Sequence, residues 1–121
     1  MELVKFFFTM HNQIKLYHWQ TKSYERHIAS DTLFNGLAPL IDRFMEVYQG
    51  KYNTRVHSSE KKMHYSIQQL GDKEMEEFLR SCTTYLQSLE NLDGKDNSDL
   101  MNIRDEMVGL INQTLYLFSF K

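Results

Sequence analysis

The stretch DKEMEEFLRSCTTYLQSL, residues 72–89, decides the fold class. Met75, Phe78, Leu79, Cys82, Tyr85, Leu86 and Leu89 recur there at steps of three and four. That is the period of an amphipathic α-helix and not of a strand. Asp72 is placed to cap the start and Gly94 lies just past the end, so a helix is expected over 72–92. Three other segments repeat the pattern. Leu3, Phe7, Met10, Ile14 and Tyr17 predict a helix over 2–21. Leu33, Leu37, Leu40, Phe44 and Tyr48 predict one over 27–49, ending at Gly50. Leu100, Ile103, Met107, Leu110, Ile111 and Phe118, capped by Ser98 or Asp99, predict one over 98–120.

Each stripe is wide enough to face a common core, so the expected fold is all-α: an antiparallel four-helix bundle in a single domain, residues 1–121. The pattern fades between Lys51 and Leu70. This stretch is expected to be a long connection between helices 2 and 3, with a short helix near Met63 to Gln69. Pro39 falls inside the second segment and predicts a bend there or a helix in two pieces.

The chain has 121 residues, 41% of them hydrophobic and 25% charged, which suits one folded domain. No apolar run approaches the ~20 residues of a membrane span. Met1 to Met10 is apolar, but it lacks a charged leader and a small-residue cleavage site, and it reads as helix rather than signal peptide. One cysteine, Cys82, excludes an intrachain disulfide, and the cytoplasm is the expected compartment. The formal charge is −2, and Lys61-Lys62 is the only basic pair. Nucleic-acid binding draws on a basic stripe or tail that this chain does not have.

The chemistry-bearing residues gather on the first two segments. His11 and His18 sit seven apart, and Trp19 follows His18. On the second helix Asp31, Asp42 and Glu46 lie about 40°, 60° and 100° round from His27, one sector beside the apolar stripe. Imidazoles with carboxylates suit Fe(II), Mn(II) or Zn(II), because they combine borderline nitrogen with hard oxygen donors. At 1.5 Å per residue, however, Glu46 is roughly 28 Å along the axis from His27. The two groups can share a metal only if a second copy packs antiparallel across a two-fold axis, which creates the site twice.

This arrangement resembles the Dps family of miniferritins, members of the ferritin-like superfamily. The matching residues are His18-Trp19 at the end of the first helix, His27 with Asp31 four later, and Asp42-x-x-x-Glu46. The resemblance implies an iron site between subunits, with His18 and His27 from one chain anchoring a metal. Asp42 and Glu46 of a two-fold neighbour would complete it, and Asp31 would stand behind it or at a second metal. It also implies Fe(II) oxidation, preferentially by peroxide, with Trp19 quenching stray one-electron equivalents. The turn from His18 to His27 is shorter than in Dps proteins, and the lysine-rich DNA-binding tail is missing. Residues 18–50 and 102–117 are also similar to an uncharacterised family encoded by large DNA viruses and phages, which implies a host cytoplasm or a virion. No Glu-x-x-His occurs, so the di-iron site that some ferritins hold inside one bundle is not expected.

Each residue also has a structural role open to it. His18 suits a helix C-terminus and Asp31 a first turn, both through the helix dipole. Asp42 and Glu46 fit a solvated face, and Trp19 a packing anchor. His57 and His64 read as surface residues, and Cys82 as inert packing on the core stripe. Two functions therefore stand side by side. One is a miniferritin-like iron oxidase, extending to iron storage or peroxide removal. The other is a non-catalytic oligomeric helical scaffold that binds a partner.

Overall fold

The computed structural model describes residues 2–57, 61–89 and 96–120. Four helices are present and no strand among these residues: α1 Glu2–Gln20, α2 Tyr24–Tyr52, α3 Asp72–Gln87 and α4 Ser98–Phe118. The predicted stripes form the core. Phe7, Met10 and Ile14 of α1 meet Leu33, Leu37 and Phe44 of α2, Met75, Leu79 and Leu86 of α3, and Leu100, Met107 and Ile111 of α4, all essentially inaccessible. Burying one such side chain contributes ~1.5–3 kcal/mol. Among the described residues no helix is long and apolar enough to cross a membrane.

Side-chain contacts set the topology. His11 lies on Phe34 and Phe7 on Phe44, so α1 and α2 are antiparallel. Tyr17 reaches Asp72 while Phe6 stacks on Tyr85, so α1 and α3 are antiparallel too. Arg43 pairs with Glu106 and Lys51 with Asp99, which runs α4 against α2. The order is up, down, down, up, with α2 and α3 parallel across the diagonal.

A chain with that order must return along the bundle between α2 and α3, and the described part of residues 53–71 does so against the outer side of α1. Phe8 meets Tyr65, Asn12 donates to the Tyr65 hydroxyl at 2.8 Å, and Gln20 reaches Gln69. The helix expected near Met63 to Gln69 is not formed. Gln13, buried on α1, donates to the Gln68 carbonyl and accepts from the Gln68 N–H, each at 2.8 Å. A side chain thus takes the backbone groups that a helix would have paired.

Helix limits moved where caps decide them. α2 starts three residues before the expected 27, because the Ser23 hydroxyl accepts the Arg26 N–H at 3.2 Å. It runs past Gly50 to Asn53, whose left-handed φ of 51° closes the helix by a bond from its N–H to the Gln49 carbonyl. α2 is continuous through Pro39, not two pieces. Pro39 and Asn35 are exposed, so water can serve the carbonyl that the missing N–H leaves free. Gly71 is the N-cap of α3, with Asp72 the first helical residue, and Asn97 that of α4. α3 ends at Gln87 and α4 at Phe118; residues 90–92 and Gly94 lie outside the described residues.

One charged side chain joins all four helices. From α2, the Arg26 guanidinium donates to the Tyr17 hydroxyl of α1 at 3.1 Å and to Glu76 of α3 at 2.6 Å. It also donates to the carbonyls of Asp72 and Phe118, and it lies 4.6 Å from the Phe118 ring of α4. Tyr17 in turn donates to Asp72 at 2.6 Å. With 12% of its side chain exposed, Arg26 cannot regain this set from water. Arg26→Ala should lower unfolding free energy by about 2–3 kcal/mol in urea titration, since hydrogen bonds to charged groups contribute that much. A loss under about 0.5 kcal/mol, the range of ordinary surface substitutions, would show that the hub holds nothing together.

Candidate metal-binding site at the α1–α2 turn

Only Thr21, Lys22 and Ser23 separate α1 from α2, so the last turn of one helix faces the first turns of the other. His18 and His27 meet across this turn. His18 Nδ1 lies 2.7 Å from the His27 carbonyl, and His27 Nδ1 lies 2.8 Å from the His18 carbonyl. A carbonyl oxygen only accepts, so each Nδ1 carries a proton and donates. The last carbonyls of a helix lack intrahelical partners, and His27 serves that of His18. The rings stack with centroids 4.0 Å apart and planes 15° from parallel. Ser30, buried on the next turn, donates to the His27 carbonyl at 3.1 Å and lies 3.3 Å from His18 Nδ1.

These bonds decide the chemistry the rings can offer. In a neutral imidazole with Nδ1 protonated, Nε2 bears the lone pair. In that form both histidines present Nε2 as a lone-pair donor, their Nδ1–H groups held by carbonyls as metal-ligating histidines are commonly held. Lone pairs lie in the ring planes. Two near-parallel rings with centroids 4.0 Å apart do not aim them at one ion about 2.1 Å from each nitrogen. As stacked, the rings suit separate ions, and a shared ion requires the stack to open.

Asp31 is brought to His18, its Oδ1 lying 3.7 Å from His18 Nε2. The same oxygen is 3.8 Å from Lys15 Nζ, which sits 4.3 Å above the Phe34 ring and 6.0 Å from that of Trp19. A cation held by His18 and Asp31 would thus compete with the Lys15 ammonium. Trp19 is 70% exposed and not a core anchor of this chain. His11 stands apart, stacked on Phe34 at 3.7 Å with Nε2 2.9 Å from the Phe34 carbonyl. Burial pushes its pKa down, the carbonyl opposes that, and Lys15 adds to it.

Asp42 and Glu46 are not brought to the histidines. Both are exposed on α2, about 22 and 28 Å along its axis from His27. Among the described residues no three of His, Cys, Asp and Glu come together to hold a metal within one chain. His57 and His64 lie exposed outside the helices. Of the residues around the turn, Ser30 went unseen in the sequence: its three-residue spacing from His27 places it on the same side of α2, but only the short turn puts His18 beside it.

The match of residues 18–118 to a family model covers most of the chain and all five proposed donors. The chain belongs to the Family of unknown function (DUF5856). No curated protein and no solved structure matches it. In this DUF5856 chain Cys82 is buried on α3 and contributes nothing to the α1–α2 turn. Burial pushes its thiol up to about 12. The thiolate is the reactive form, so a thiol reagent at pH 8 should label native protein far more slowly than urea-unfolded protein. Equal labelling rates would show that Cys82 is not sealed in the core.

Proposed function

We propose that the chain is a miniferritin-like iron oxidase whose site is completed between two copies paired through α1 and α2. The observation that carries this reading is the locked histidine pair, with both Nε2 atoms left as donors. Two features support it. Asp42 and Glu46 stand exposed on the same helix as His27, free to face a neighbour. The up-down-down-up order with one long return is also the connectivity of ferritin-like bundles.

In the assembled site His18, with Asp31, would hold one Fe(II) and His27 a second. Asp42 and Glu46 of a two-fold neighbour would complete and bridge them. Zn(II) and Mn(II) suit the same donors. Peroxide would take one electron from each Fe(II); its O–O bond breaks, and two protons complete two waters. Trp19, exposed beside the site, would take up a stray one-electron equivalent. Ferric product could then be stored as mineral. Nucleic acid and membrane have no part in this reading, and the cytoplasm suits it.

The stack itself favours a second reading, since His18 and His27 also close the turn without any metal. There the protein is a helical scaffold for a partner, and its carboxylates are only solvated. Mixing variants separates the two. Asp42→Ala and His27→Ala chains should each form dimers by light scattering yet lack peroxide-driven Fe(II) oxidation. Mixed and reassociated, half the dimers pair unlike chains and carry one intact site of two, restoring about a quarter of the wild-type rate. An oligomeric wild type with no oxidation above buffer contradicts the oxidase and leaves the scaffold, and a monomeric one contradicts both. Recovery absent despite an active wild type contradicts the shared site.

A further inference from the structure

Deepening the oxidase reading and resting on it, we infer that Ser30 is a positioning residue, whose buried hydroxyl holds His18 in the tautomer and orientation that turn Nε2 toward Asp31. The serine is 1% exposed. A buried hydroxyl has one proton to give and lone pairs to receive. Here the proton goes to the His27 carbonyl at 3.1 Å. The oxygen then meets His18 Nδ1, 3.3 Å away, with lone pairs only, and accepts a share of its N–H. The His27 carbonyl takes the main share at 2.7 Å. An unprotonated Nδ1 would face oxygen lone pairs on both sides, a cost that low-polarity surroundings magnify.

The arrangement works through one triangle: His18 Nδ1, Ser30 Oγ and the His27 carbonyl oxygen. Without the hydroxyl, the His27 carbonyl is the one acceptor of the three-atom set left to hold the Nδ1–H, and the ring is less restrained from turning about χ2 to put its carbon edge there, which removes Nε2 from Asp31. Ser30 touches neither the ions nor the oxidant. Its contribution is that His18 needs no rearrangement to bind, and partners of this kind typically govern affinity by about 10–100-fold.

The test compares wild type, Ser30→Ala and Ser30→Thr, the last keeping the hydroxyl. Nitrogen-15 NMR of the metal-free full chain reads the His18 tautomer directly. Titration with Co(II), a redox-inert stand-in under these conditions, reads affinity, and circular dichroism checks the helices. Ser30→Ala should keep its helical content, show His18 exchanging between tautomers, and bind Co(II) at least about tenfold more weakly. Ser30→Thr should restore the single Nδ1–H tautomer. A Ser30→Ala chain that keeps that tautomer overturns the inference, as does a Thr variant that loses it as fully as Ala. A wild type that binds no Co(II) would contradict the oxidase reading instead, while the tautomer comparison on metal-free protein still decides what Ser30 does.

Discussion

Two hydrogen bonds from imidazole to backbone carbonyl, His18 to His27 and His27 to His18, connect the end of α1 to the start of α2. With three residues in the turn, the two helix ends are forced close, and polar backbone there must find partners. His27 meets that need for the His18 carbonyl, His18 bonds back to a carbonyl in the first turn of α2, and the two rings stack between the helix ends. The same bonds fix both protons on Nδ1. A structural requirement and a chemical property thus have a single cause: closing the turn is what points each Nδ1, and not Nε2, at a carbonyl.

Arg26 stands one residue before His27 and anchors the other side of the same end. Its partners on α1, α3 and α4 hold the helix that carries His27 against the rest of the bundle. At the side of α1 the return segment is fastened by Gln13, so that the outer surface of α1 is partly covered by Tyr65 and Gln68. Among the described residues, Asp42 and Glu46 on the outer face of α2 and Trp19 at the end of α1 are exposed. The proposed two-fold pairing would use these exposed surfaces.

The helices were legible because their apolar residues repeat at a helical period over many turns. Their ends were less so. Ser23 three residues before Arg26 is a visible cap signal, but His27 drew the expected start toward itself. Asn53 outlasted Gly50 as terminator because it, too, tolerates a left-handed backbone. The helix expected near Met63 failed for a reason no local pattern contains, a buried glutamine on α1 that claims the backbone of Gln68. For the site, the separation of Asp42 and Glu46 from the histidines followed from helical rise alone. The stacking of His18 on His27 did not, since it depends on the turn's path, and it changes the expected shared metal into two donors on parallel planes.

Anomalous diffraction from crystals grown with Fe(II) under anaerobic conditions tests whether donors from two chains meet at this turn, as proposed. Iron peaks are expected about 2.1 Å from His18 Nε2 and from His27 Nε2, with Asp42 and Glu46 of a two-fold neighbour completing each coordination shell. Iron absent from the turn, or held there with no second chain in reach, would contradict the proposal.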